Sequence, residues 1–505
     1  MLSYQPLLFG RERSAGVLCH PTALPGTYGI GTLGEHARTF IDFLAECGFR
    51  WWQVLPLHPP AVGNSPYSAF SAFAGNPLLL DLDQLVAEGD LHAISVPRDS
   101  NSNHQTTDQA EWKRTVLHNA AQQFFKEASP ERMKQFWDFC DDTFWLHDYA
   151  VFTALHHHFK DVSWHQWPQD IRERQELPLR NLEELLGGAI GTEKYIQWQF
   201  DRQWKAVRQY AAYRGIGIIG DVPIFVADDS ADVWCNQELF LLDSTGNSTV
   251  VAGVPPDAFS ESGQFWGNPL YDWQKMADQG YHWWIERIRQ VLRWYDVIRL
   301  DHFRGFEAAW HIPVTAASAQ EGSWQAGPGA ALFDTLHFVF GTLPFIAEDL
   351  GVITPAVEEL RDRFALPGMV IIQFAFDSDS SNPYLPHNHQ HNAVAYSGTH
   401  DNDTLVGWLD SLTERQQQAI KRYLGTTDTV TPDMILRLVW SSVAQTAIVP
   451  LSDLLSLGSE ARFNRPGVAE GNWEWQAPKN YLDTLSRLSI RTELETYGRI
   501  TPQDQ

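Results

Sequence analysis

Eight short apolar runs recur along the chain, each bounded by glycine, proline or polar turns: GVLCH from Gly16, QVLPL from Gln53, IGIIGDVPIF from Ile216, VIRLD from Val297, FIAED from Phe345, VIIQFAF from Val370, AVAYSGTHD from Ala393 and AIVPL from Ala447. They are apolar throughout rather than on alternate residues, so a strand built from any of them has two faces to bury. That is the condition of parallel strands covered by other layers on both sides. Helical patterns lie between the runs. EHARTFIDFLAECG places Ala37, Phe40, Ile41 and Leu44 on one face and stops at Gly48. TPAVEELRDRF opens on Thr354 and Pro355 and repeats at Val357, Leu360 and Phe364. Eight strands with intervening helices predict an α/β fold of the (β/α)8 TIM-barrel type, with a doubly wound sheet as the alternative. One interval exceeds any crossover. Residues 78–202 hold helix-like stretches such as TVLHNAAQQFFKEA and MKQFWDFCDDTFWLHDYAVFTAL, and read as a mainly helical inserted subdomain between the first part of the barrel, 1–77, and its remainder, 203–505.

Charge narrows the partners. The 37 basic and 62 acidic residues give a formal charge of −25, which disfavours phosphate backbones and anionic lipid. Neither nucleic acid nor a membrane is an expected partner. The opening MLSYQPLLFGRERSAG has no apolar core ahead of a small-residue cleavage site, and no later run approaches a bilayer span, so a cytoplasmic protein is expected. Cys19, Cys47, Cys140 and Cys235 form no C-x-x-C pair and suggest neither a zinc site nor a disulfide framework. The 21 Trp, 28 Phe and 15 Tyr supply flat faces that suit stacking on sugar rings as well as filling a core.

Several short patterns lack the context that would give them chemistry. GIGTLG at Gly29–Gly34 fits a dinucleotide fingerprint, but the following RWWQVLPL ends in Pro and Leu where the ribose needs an acid. GIGIIG at Gly215–Gly220 runs into DVPIF instead of a helix. DSDSSN from Asp377 starts like a calcium loop, yet Asn382 replaces the turn glycine and Asn388 the bidentate glutamate. HHH at His156–His158 and HNHQH from His387 read as solvated surface.

What remains is a set of acids just past apolar runs: Asp221, Asp301, Glu348 and Asp401. In a barrel of this kind the C-terminal strand ends open into the active-site mouth. Within YDVIRLDHFRGF, residues two apart share a face, so Arg299 sits beside Asp301 while Leu300 faces the other layer. A neighbouring guanidinium favours the ionised aspartate that a nucleophile requires. Glu348 follows Phe345, Ile346 and Ala347, an apolar setting that raises a carboxyl toward general-acid duty. Asp349 next to it reads as structural. Carboxylates so paired around a sugar-sized cleft are the equipment of glycosyl chemistry.

VIRLDHFRG, AEDLG and SGTHDNDT, together with HPTALPGTYGIGTLG, WWQVLPL, SPYSAFSAFAGNPLLL, GDVPIFVADDSADVW and GVPPDAFSESGQFWGNPLYDW, resemble the 4-α-glucanotransferase family, called amylomaltase in bacteria and disproportionating enzyme in plants. The resemblance runs from Gly16 to the helix around Tyr481. It implies an α-amylase-like barrel with extended active-site loops, 250–269 among them. The implied reaction moves α-1,4-glucan segments from a donor to the 4-OH of glucose or another glucan, with no metal or other cofactor. It implies Asp301 as nucleophile, Glu348 as acid/base and Asp401 as a third carboxylate that grips the ring hydroxyls. Arg299 and His400 match supports of the sugar beside the nucleophile, and Asp221 a strand-end position. Tyr67 and Trp266 resemble aromatic substrate contacts, and Asn464 and Pro466 a further substrate-lining loop. The implied partners are maltooligosaccharides and α-1,4-glucans, bound by a monomer or weak homo-oligomer.

Residues and resemblance agree on a retaining double displacement, which puts the two carboxyl groups about 5–5.5 Å apart. The stretch GVPPDAFSESGQFWGNP, with Phe259, Phe265 and Trp266, reads either as a lid that excludes water or as a rigid loop. Two alternatives stand beside transfer. A hydrolytic enzyme of the α-amylase type would use the same carboxylates, and a non-catalytic glucan-binding protein would keep the aromatics without needing the acids.

Overall fold

A computed structural model describes residues 9–10, 12–61, 63–92, 106–256, 262–468 and 470–500, with only the backbone described over 106–109. All eight apolar runs contribute strands to one parallel sheet. These are β1 (Ser14–Leu18), β2 (Trp51–Gln53), β3 (Gly217–Pro223), β4 (Val297–Asp301), β5 (Phe345–Ala347), β6 (Gly368–Ile371), β7 (Ala393–Tyr396) and β8 (Thr446–Pro450). The hydrogen-bonded order is β6-β7-β8-β1-β2-β3-β4-β5, every neighbour parallel. Between the two ends, the Ala347 amide donates to the Pro367 carbonyl at 2.9 Å. The sheet therefore closes on itself as a barrel and not as a doubly wound sheet.

Two apolar layers explain the unbroken hydrophobicity of the runs. Val297, Ile219, Ile346, Val394 and Ile448 belong to a cluster filling the barrel interior, with Trp51 and Tyr396. Ile298, Leu300, Phe345 and Ala395 belong to the much larger cluster between barrel and helices. Side chains alternate across the strand, so in β4 Val297, Arg299 and Asp301 share the interior face. Each fully buried aliphatic or aromatic side chain contributes roughly 1.5–3 kcal/mol against exposure, which is what holds two polar residues on that face. The first covering helix, Glu35–Cys47, buries Ala37, Phe40, Ile41 and Leu44 as its spacing predicts and ends at Gly48 with φ 85°.

The connections after β2 and β3 are long. After β2 the chain forms helices Thr106–Glu127, Pro130–Asp142, Leu146–His158, Glu176–Leu185 and Gly187–Tyr213. The last runs unbroken past residue 202 and delivers the chain to β3. After β3, strands Val250–Val254 and Gln264–Pro269 pair antiparallel and join Ala308–Pro313 and Ser323–Ala326 in a four-stranded sheet. Of the stretch read as a loop from sequence, 253–254 and 264–269 are paired strand.

Two histidine readings are corrected. His156 is buried, its Nε2 3.1 Å from Asp229 Oδ2 and its ring edge-on to Phe70. His389 is buried between the Ser442 hydroxyl, 2.6 Å from Nδ1, and the Tyr384 carbonyl, 2.8 Å from Nε2. In each case a polar partner pays the desolvation cost that made burial look unfavourable from sequence.

Candidate active site

The interior face of β4 meets β3 in a register that sets Arg299 opposite Asp221 and Asp301 opposite Pro223. Arg299 is buried. Its Nη1 reaches both oxygens of Asp221, at 2.9 and 2.7 Å, and Oδ1 of Asp301 at 2.9 Å. One guanidinium thus serves two carboxylates, and the arginine and aspartate two apart in VIRLD stand side by side as their alternation requires. Burial works against the charge on Arg299, but the two aspartates outweigh it and hold the guanidinium well above its ordinary value. Asp221 has no exposed surface. Burial raises its carboxyl to about 7, against the pull of Arg299 and of the Tyr67 hydroxyl, which donates to its Oδ2 at 2.8 Å.

Glu348 follows β5 directly. Its Oε2 accepts from the His302 amide at 2.7 Å and its Oε1 from the Leu350 amide at 3.2 Å. The residue after Asp301 therefore holds the second carboxyl group. Burial, with the charge of Asp301 adding and that of Arg299 opposing, raises Glu348 to about 8. Two amide donors stabilise the carboxylate but do not offset removal from water. His302 takes up a left-handed backbone, φ 50°, an uncommon conformation for a side chain with Cβ. That turn aims its N–H at Glu348 and its ring at Trp266, the centroids 4.8 Å apart and edge-on. Burial lowers the imidazole to about 3. Asp349 turns away, its oxygens accepting from Arg361 at 2.6 Å and from the Met369 amide at 2.8 Å.

Asp401 stands on the loop after β7. Its Oδ1 accepts from the Asn464 side-chain amide at 2.5 Å and lies 3.4 Å from His400 Nε2. Its backbone carbonyl accepts from Arg462 at 2.7 Å. His400 is buried, which lowers its imidazole, and stacks on Tyr67 with centroids 5.1 Å apart and planes at 13°. Tyr67 and His400 also meet Trp473, at 5.8 and 5.9 Å. Of the residues singled out from sequence, Tyr67, Asp221, Arg299, Asp301, Glu348, His400, Asp401 and Asn464 form one connected set. Trp266 joins it through His302 and is partly exposed on its strand. Pro466 lies two residues past Asn464 in an exposed turn. Phe259 lies outside the described residues. Sequence reading missed Trp473 and Arg462, which fall at the end of no apolar run, and the His302 amide, a backbone group that residue type does not mark.

A closed parallel barrel with carboxylates gathered at its C-terminal strand ends around one buried arginine defines an enzyme of the α-amylase-like kind. The comparisons agree and go further. The family model described as 4-alpha-glucanotransferase matches residues 19–482. The 4-alpha-glucanotransferase of Thermus thermophilus is 47% identical over 497 residues, 97% of this chain and 99% of its own length. The chloroplastic/amyloplastic 4-alpha-glucanotransferase of Arabidopsis thaliana is 44% identical over 500 residues, 97% of this chain and 86% of its own. An amylomaltase from Streptococcus agalactiae, solved in complex with acarbose, superposes with a TM-score of 0.94 at 37% identity, covering 97% of this chain and 100% of that one. The chain belongs to the 4-alpha-glucanotransferase family, the amylomaltases, and the enzyme transfers segments of α-1,4-glucan. Among the described residues no helix is long and apolar enough to cross a membrane.

Proposed function

We propose that this enzyme transfers glucan segments by a retaining double displacement in which Asp301 is the nucleophile and Glu348 the acid/base. The observation that carries the reading is the single chain of bonds from Asp221 through Arg299 to Asp301, with Glu348 held by the very next amide. Arg299 engages Oδ1 of Asp301 and leaves Oδ2 for the anomeric carbon. As the new C–O bond forms, the glycosidic bond breaks and Glu348 gives its proton to the departing 4-oxygen. In the second half Glu348 takes a proton from the acceptor 4-OH, which displaces Asp301. A carboxyl raised to about 8 holds the proton the first half needs at neutral pH.

Asp401, kept in place by Asn464 and Arg462, grips ring hydroxyls of the reacting sugar. Tyr67 and His400 form a flat wall beside it, and Trp266 offers a second face across the mouth. Asn464 and Pro466 belong to the substrate-lining loop. We assign 1–77 and 203–505 to the barrel part of the chain and 78–202 to a mainly helical insertion, whose last helix, Gly187–Tyr213, carries the chain across that boundary into β3. The formal charge of −25 and the four free cysteines support a cytoplasmic monomer or weak homo-oligomer. The test is product analysis with maltotriose. Longer oligomers together with glucose mean transfer, glucose and maltose alone mean hydrolysis, and no turnover leaves only binding.

A further inference from the structure

The loop 398–404, which carries His400 and Asp401, borders a small cavity. His20, His400, Asp403, Asp453, Arg462 and Phe463 are among the residues that line it. A loop bordering such a space depends on polar ties as well as on packing such as that of His400 on Tyr67. One carboxylate ties both of its ends. Asp453, three residues past β8 and 1% exposed, accepts from the Ser397 hydroxyl at 2.7 Å on Oδ2 and from the Leu405 amide at 2.8 Å on Oδ1. Ser397 immediately precedes the loop and Leu405 immediately follows it. Within the loop, Asn402 Oδ1 accepts from both the amide and the hydroxyl of Thr399, at 2.9 and 3.0 Å. The Gln373 side chain donates to the Asp403 carbonyl at 2.8 Å. Gln373 spans nearly the same two ends, its backbone amide also donating to the Ser397 carbonyl at 3.3 Å, whereas Asp453 holds both feet of the loop on a single side-chain carboxylate.

We propose that Asp453 is a positioning residue for glucan transfer: by holding Ser397 and Leu405 on one carboxylate it sets where Asp401 and His400 stand against the sugar. The proposal rests on the active-site reading given above. Asp453 touches no substrate and acts through the loop. Asparagine preserves both ties, its carbonyl oxygen accepting from Leu405 and its amide donating to the Ser397 oxygen, whereas alanine removes both. Displacement of catalytic groups by about 1 Å costs on the order of a hundredfold in rate.

The experiment measures kcat and KM with maltotriose, and with an activated maltosyl donor for slow variants, in Asp453→Asn, Asp453→Ala, Ser397→Ala and Asp401→Ala, and in each of the first three combined with Asp401→Ala. Asp453→Ala should lower kcat by about 10–100-fold with KM changed only a few-fold, Asp453→Asn should stay within a few-fold of the parent, and Ser397→Ala should fall between. Once Asp401 is alanine, the further loss from Asp453→Ala should shrink to about threefold or less, because the group being positioned is gone. Full additivity in that background, or an asparagine variant as slow as the alanine one, overturns the proposal. Should Asp453→Ala fail to fold, the cycle between Ser397→Ala and Asp401→Ala decides on the same criterion. If Asp401→Ala alone leaves transfer intact, the active-site reading fails; if it collapses activity while the Asp453 and Ser397 effects are additive, only the positioning role fails.

Discussion

Protonation at Glu348 is where residue chemistry and rate meet. Its carboxyl is raised to about 8, first by burial and then by the charge of Asp301, whereas an unperturbed glutamate titrates near 4.3. The acid that must protonate the leaving oxygen therefore persists through neutrality and is lost above about 8. The alkaline limb of the kcat/KM profile should fall with the release of one proton near pH 8, and a limb still flat beyond pH 9 would remove Glu348 from that role. Glu348→Gln should cost several powers of ten with natural glucans, yet still accumulate glycosyl-enzyme from a donor whose leaving group needs no proton. The sign for stability is the same. Between the unfolded and folded pKa values the folded state holds a proton that the unfolded state has released, so this group's contribution to stability shrinks as pH rises from about 4.5 to about 8.

At the scale of the element, Gly220 shows why a strand bearing Asp221 carries a glycine just before it. A Cβ there would lie 2.0 Å from the ring of Tyr295, a contact that neither a strand nor a buried ring relieves cheaply. Gly220→Ala should lose about 1–3 kcal/mol of stability, typical of overpacking, read as a lower melting temperature. It should also lower kcat, because β3 cannot move off Tyr295 without moving Asp221 away from Arg299. The hairpin Val250–Val254 with Gln264–Pro269 presents Trp266 toward His302. If that face seats the acceptor sugar and sheds water, Trp266→Ala should shift the products of maltotriose from longer oligomers toward glucose and maltose; an unchanged ratio would leave Trp266 no part in excluding water. The barrel strands were legible because strands covered on both sides must be apolar throughout, and the carboxylates because they interrupt that rule at strand ends. The hairpin was not legible: GQFWGNP is rich in Gly, Asn and Pro, residues depleted in strands, and the hairpin joins its sheet only where Val250–Val254 meets the sequence-distant Ala308–Pro313. Trp473 and Arg462 were hidden for a related reason, since a loop residue's contact with a distant active site leaves no periodic trace. His156 and His389 misled because burial of an imidazole depends on partners such as Asp229 and Ser442 that only the fold supplies.

Across the whole molecule, the site occupies one end of the barrel and Arg499 ties strands together at the other. Arg499, just past the helix Arg487–Thr496, has no exposed surface. It donates to the carbonyls of Trp440 at 2.7 Å, Ser14 and Ser442 at 2.9 Å, Gln445 at 3.1 Å and Ala444 at 3.2 Å. Ser14 begins β1 and Gln445 immediately precedes β8, so one guanidinium, 485 positions from Ser14 and 54 from Gln445, closes the N-terminal ends of two paired strands. Burial without a carboxylate partner, together with repulsion from Arg13, pushes it down to about 9, which still leaves it charged at neutral pH. Arg499→Ala would take a donor from each of these carbonyls at once; Gln445 keeps the Ser14 amide at 2.8 Å, and Ser442 and Trp440 keep Arg13 at 2.8 and 3.3 Å, so the loss is several net hydrogen bonds of about 0.5–1.5 kcal/mol each. The expected result is a melting temperature lowered by several degrees and faster proteolysis at the carboxyl end, with kcat at low temperature unchanged because the carboxylates sit at the opposite strand ends. Lysine should recover only part of the loss, since a single ammonium cannot spread its donors over carbonyls that a planar fork reaches. If Arg499→Ala melted like its parent, the barrel's closure would have to rest on the strand ladder and its apolar layers alone.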